Sequence, residues 1–123
     1  MPLTGLVSLD QALGAAGKGR ATATARQADA TGLAELLRVL ADGTRLRLLF
    51  ALSTGERHVS DLLGDLRLPQ PTVSHHLGIL RMAGVVEARR DGKRVYYKLV
   101  QPPPAPGVLR FSAGASTIEL TSR

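Results

Sequence analysis

The sequence predicts a mainly α-helical domain with a small β wing. Three observations carry that prediction. Leucines recur at helical spacing through the middle of the chain. After Gly84 the spacing switches to simple alternation. Turn signals at Asp42-Gly43, Leu68-Pro69 and Asp91-Gly92 fall between the periodic segments. Aromatic residues make up only 3% of the 123 residues, so the core must be built from aliphatic side chains, which suits helices packed on helices.

Leu33, Leu36, Leu37 and Leu40 stand at i, i+3, i+4 and i+7, the stripe of an amphipathic helix. A second helix is expected from Thr44 to Leu52, with Leu46, Leu49 and Phe50 inward and Arg45 and Arg47 outward. A third follows from Val59 to Leu66 on Val59, Leu62, Leu63 and Leu66. The fourth is expected from Pro71 to Ala83. Gln70 stands at the N-cap, Pro71 at the first helical position, and Val73, Leu77 and Leu80 point inward. A ribbon then runs from Val85 to Arg90, turns at Asp91-Gly92 and returns from Arg94 to Val100, with Val95, Tyr97 and Leu99 on one side.

The flanks are less regular. Residues 1–31 read as a flexible or weakly helical arm, with a short helix on Leu6, Leu9 and Leu13 capped by Ser8, and with Lys18, Arg20 and Arg26 as its cations. Residues 32–100 form the main domain. Residues 101–107 hold Pro102, Pro103, Pro104 and Pro106 and read as a stiff linker. Residues 108–123 read as an extra C-terminal β-hairpin around Ala113-Gly114.

Charge and composition narrow the function. Lysine and arginine number 16 against 10 acidic residues, a net charge of +6, which points to a polyanionic partner. No cysteine is present, so a disulfide framework, a thiolate metal site and a cysteine nucleophile are excluded. No apolar run approaches the length of a membrane span, and the N-terminus lacks the pattern of a secretion signal. The expected location is cytoplasmic. No phosphate-binding glycine loop, zinc-protease pair or nucleophile elbow occurs, so an enzyme is not expected.

Two short helices joined by a tight turn and followed by a ribbon with a basic tip are the order of a winged helix-turn-helix. The second helix of such a pair fits the DNA major groove, and its first residues reach base edges. Here those residues are Gln70, Thr72, Ser74 and His75. The ribbon supplies Arg89, Arg90, Lys93 and Arg94, placed to grip backbone phosphates. His75 is expected to face DNA and His76 to pack or hydrogen-bond within the protein.

Three stretches, Leu40 to Leu49, Gln70 to Leu77 and Gly92 to Tyr97, resemble the arsenic-repressor (ArsR/SmtB) family. The likeness runs from about Leu33 to Val100. It implies a homodimer with a winged helix-turn-helix in each half, acting as a repressor on double-stranded DNA. Three departures stand out. Where the family's arsenic and cadmium sensors carry a Cys-Val-Cys pair, this chain has His58-Val59-Ser60. Gly78 takes a position that is often basic in relatives. The end of the chain is proline-rich where many relatives have a dimerising helix. No cofactor is expected. His58 with Asp61 is the remaining candidate for a nickel or zinc ligand pair. Dimerisation is assigned to the N-terminal helix, the Leu33 to Leu40 region and the C-terminal tail. Two alternatives stay open: a protein-interaction module of the same fold, and a regulator that takes its signal from a second regulatory protein.

Overall fold

The computed structural model describes residues 20–123. The expected helix on Leu6, Leu9 and Leu13, its cap Ser8, and Lys18 lie outside the described residues. Helix α1 spans Arg20–Leu40, α2 Gly43–Leu52, α3 Val59–Leu66 and α4 Gln70–Met82. Strand β1 is Arg57–His58, β2 Val86–Asp91, β3 Arg94–Leu99, β4 Val108–Ala113 and β5 Ser116–Thr121. The winged helix-turn-helix is therefore present, with the ribbon and the extra hairpin where the alternation placed them.

Helix α1 starts well before the leucine stripe, inside the segment read as an arm. Its early turns are rich in alanine, the strongest helix former. Leu40 is buried and Leu36 and Val39 pack against the core, while Leu37 remains 49% exposed. The stripe thus turns Leu36 and Leu40 inward and leaves Leu37 on the flank.

Helix α2 opens at Asp42, whose carboxylate accepts a hydrogen bond from the Arg45 backbone N–H at 3.0 Å. Leu48, Leu49 and Leu52 are its buried face, with Leu46 and Phe50 half-buried beside them. Helix α3 buries Leu62 and Leu66, and α4 buries Val73, Leu77 and Leu80, as their spacing predicts. The cap of α4 is Pro69, not Gln70: the extended backbone of Pro69 carries the chain in, and Gln70 already takes the first helical position.

Between α3 and α4 the chain turns at Arg67, whose φ of 54° is the one positive value on a non-glycine among the described residues. A side chain in this left-handed conformation costs about 1 kcal/mol.

Strands β2 and β3 pair antiparallel from Val86↔Leu99 to Asp91↔Arg94, leaving Gly92 and Lys93 as a two-residue turn. Gly92 has a φ of 62°, which such a turn requires. The short β1 pairs with β3 through Arg57↔Tyr97 and His58↔Tyr96, giving the order β1-β3-β2.

The second hairpin, β4–β5, lays Leu109 and Phe111 into the same core as α2, α3 and α4. Its opposite face carries the Arg110–Glu119 ion pair. The hairpin tip is anchored to α1, where the Asp29 carboxylate accepts from the Ala115 N–H at 3.3 Å. A side chain on Gly114 would meet that carboxylate, and Gly114 also has a φ of 62°. The proline segment is tied down as well: the Gly107 N–H donates to the buried Ser53 hydroxyl at 2.8 Å.

Candidate nucleic-acid interface

The first turns of α4 face the wing across a cleft of about 290 Å³. Gln70 and Ser74, one helical turn apart, form one wall; Val95, Tyr97 and the turn residue Lys93 form the other. His58, Val59, Ser60 and Leu63 close the end of the cleft. This arrangement follows from the chain itself. Burying Val73 and Leu77 turns Gln70 and Ser74 to the flank nearest the wing. The β2–β3 register sets Val95 and Tyr97 on the sheet face that looks back at the helix.

The other expected base-reading residues of α4 are spread around it. His75 is exposed on the outer face, and Thr72 is half-buried on the flank away from Ser74. His76 is turned inward, its ring edge-on to His75 with 5.4 Å between centroids. The Arg45 guanidinium donates through Nη1 to His76 Nδ1 at 3.3 Å and through Nε to the Val39 carbonyl at 2.6 Å. Arg45 therefore does not simply face outward. It ties the end of α1 and the start of α2 to the middle of α4. Asp42 completes the cluster, 3.9 Å from His76. The Arg45 N–H bonded to Asp42 holds its carboxyl below the usual carboxylate range, helped by the charge of Arg45.

The four wing cations divide by strand face, because directly opposed residues of an antiparallel pair share a face. Arg90 is opposite Val95, on the cleft side, and Lys93 is at the tip. Neither has an ion-pair partner among the described residues. Arg89 and Arg94 lie on the other face. Arg89 donates to both carboxylate oxygens of Glu56, at 3.2 and 2.6 Å, and its guanidinium sits 4.7 Å from the centre of the Tyr96 ring. The Arg89 hydrogen bond holds the Glu56 carboxyl low and pushes the Arg89 pKa up in return. Tyr96 beside Arg94 pushes the pKa of that guanidinium up in the same way.

His58 has a role that spacing did not reveal. Its ring nitrogen Nδ1 accepts from the Ser60 N–H at 3.2 Å and caps α3, and the ring meets Tyr96 edge-on at 5.3 Å. Its neighbour Asp61 lies in the first turn of α3. Among the described residues no group of three or more His, Cys, Asp or Glu side chains is placed to hold a metal ion. Gly78 has open space where a side chain would project.

Comparison with known proteins bears on this geometry. The sequence pattern of the bacterial regulatory protein arsR family matches residues 42–88. An uncharacterized HTH-type transcriptional regulator from Methanocaldococcus jannaschii is 43% identical over 68 residues, covering 54% of this chain and 76% of that protein.

The chain belongs to the arsR family.

The three motifs that carried the resemblance fall at the capped start of α2, along α4 and at the wing tip. A biofilm growth-associated repressor from Agrobacterium fabrum is 43% identical over 76 residues. That match covers 62% of this chain, which spans 65% of the length of that relative. Among solved structures, the homodimeric winged helix-turn-helix DNA-binding domain Mb0332 from Mycobacterium bovis is 34% identical, with a TM-score of 0.55. The similarity covers 70% of this chain and 76% of that one. Among the described residues of this arsR-family chain, no helix is long and apolar enough to cross a membrane.

Proposed function

We propose that the chain is a cytoplasmic, homodimeric repressor that binds a specific operator in double-stranded DNA and carries out no reaction of its own. The observation that carries this reading is the cleft in which Gln70 and Ser74 face Lys93 across α4 and the wing. A glutamine can pair with adenine through two hydrogen bonds, and serine accepts or donates to any base edge. In this reading Gln70, Ser74 and the exposed His75 read bases, and Thr72 meets the sugar-phosphate rim. Arg90, Lys93 and Arg94 hold phosphates, and Arg89, engaged by Glu56, braces the wing. The two copies meet through α1, where Leu37 is left exposed, and the C-terminal hairpin. With no cysteine in the chain, the signal that releases DNA comes from another chemistry or from a second regulatory protein.

The test is a variant with Gln70, Ser74 and His75 all replaced by alanine, assayed on duplexes that the wild type selects from a random library. The expected variant keeps its helical circular dichroism and binds selected and scrambled duplexes equally. Retained preference for the selected duplex would refute the assignment.

A further inference from the structure

The turn of the helix-turn-helix holds an arginine where the backbone favours glycine. Arg67 is exposed, its φ is 54°, and it has no side-chain partner among the described residues. The nearest acidic residue in the sequence is already occupied. Asp65, two residues before Arg67, is paired with Arg57. The end of α3 does not need the Arg67 side chain either. The Arg67 N–H donates to the Leu63 carbonyl at 2.9 Å, and Arg47 Nη2 donates to the Leu66 carbonyl at 2.9 Å. These two bonds pin the turn from both sides and bring a second guanidinium beside it. Leu68 and Pro69 then lead straight into Gln70, the first residue of α4.

A non-glycine residue kept in a costly conformation, with a free cationic side chain at the entrance to the reading helix, calls for a functional reason. We propose that Arg67 is a further DNA-binding residue, which holds a backbone phosphate at the rim of the groove that α4 enters. Arg47, bonded to the preceding carbonyl, positions it. This inference rests on the DNA-binding reading above. A guanidinium suits the task because its planar fork matches two phosphate oxygens. A phosphate contact is independent of sequence, so it adds affinity on every duplex and adds to the salt dependence of binding.

The experiment uses the full chain and a labelled duplex of mixed sequence, titrated by fluorescence anisotropy over a range of sodium chloride. Arg67→Gln and Arg67→Gly should each weaken binding severalfold and reduce the slope of log K against log salt by about 0.9, the loss of one phosphate contact. Arg67→Lys should keep most of the slope. In parallel, Arg67→Gly should raise the urea midpoint of unfolding, since glycine relieves the left-handed conformation. Stability up with binding down is the signature of a side chain kept for the ligand. An unchanged slope in Arg67→Gln and Arg67→Gly overturns the proposal. So does a fall in stability in both variants, which would make Arg67 a structural cap. If the wild type itself shows no binding to duplex DNA, the DNA-binding reading fails first, and that result is distinct from a wild type that binds with a slope Arg67 does not affect.

Discussion

At the residue scale, Asp42 shows how one side chain serves several elements. It caps α2, and its charge faces Arg45 and His76, the residues that tie α2 to α4. Its carboxyl is held low in the folded protein, first by the Arg45 N–H. A lowered folded pKa means that the stabilisation is fully present above the ordinary carboxylate value of about 4. It is lost as pH falls through that value and on through the folded one. Asp42→Asn keeps a hydrogen-bond acceptor but no charge. Its stability deficit relative to wild type, read from urea midpoints, should shrink as pH is lowered from neutral to below about 4. A deficit that stays constant across that window would show that the charge of Asp42 contributes nothing. The aspartate was visible in the sequence as part of a turn before a helix. Its reach to His76 was not, because the two stand 34 positions apart (76 − 42) and only the packing of α2 on α4 joins them.

At the element scale, the wing separates cations that the sequence presented as one cluster. Arg89, Arg90, Lys93 and Arg94 are close in sequence, and composition alone assigns them all to phosphate. The strand register parts them: Arg90 is on the cleft side with Lys93 at the tip, and Arg89 is held by Glu56 from the opposite face. Arg90→Ala and Lys93→Ala should each lower the slope of log K against log salt by about 0.9 on duplex DNA. Arg89→Ala should change that slope much less. An equal loss for Arg89 would show that DNA takes it from Glu56. The alternation after Gly84 was enough to predict both strands and the turn. It could not predict β1, because a two-residue strand has no period to read. Yet β1 is what brings Glu56 and His58 up to the wing, so their contacts there were not legible until the sheet was assembled.

At the scale of the whole molecule, the C-terminal hairpin is a structural part of the domain. Leu109 is completely buried and Phe111 is 5% exposed, both within the core that supports α4. Phe111→Ala should therefore cost about 3–5 kcal/mol of unfolding free energy in urea, the usual range for emptying a phenylalanine site in a core. A loss well under 1 kcal/mol would mean that the hairpin is a detachable appendage. Because α4 rests on this core, a variant that loosens the hairpin should also weaken DNA binding without touching a residue proposed to face DNA.

The sequence by itself determined the kind of elements and most of their order. Leucine spacing specifies which helix faces turn inward, and alternation specifies the wing and the final hairpin, because both patterns are local properties of the chain. It also determined which α4 residues are polar and available at the helix start. The tertiary structure alone decided which of them meet the wing, and that Gln70 belongs to the helix rather than to its cap. It alone decided that Arg45 turns inward to His76 and that the hairpin shares the main core. Those outcomes depend on how elements distant in sequence pack and pair. Such contacts are set by the fit of side chains across the core, which no local spacing records.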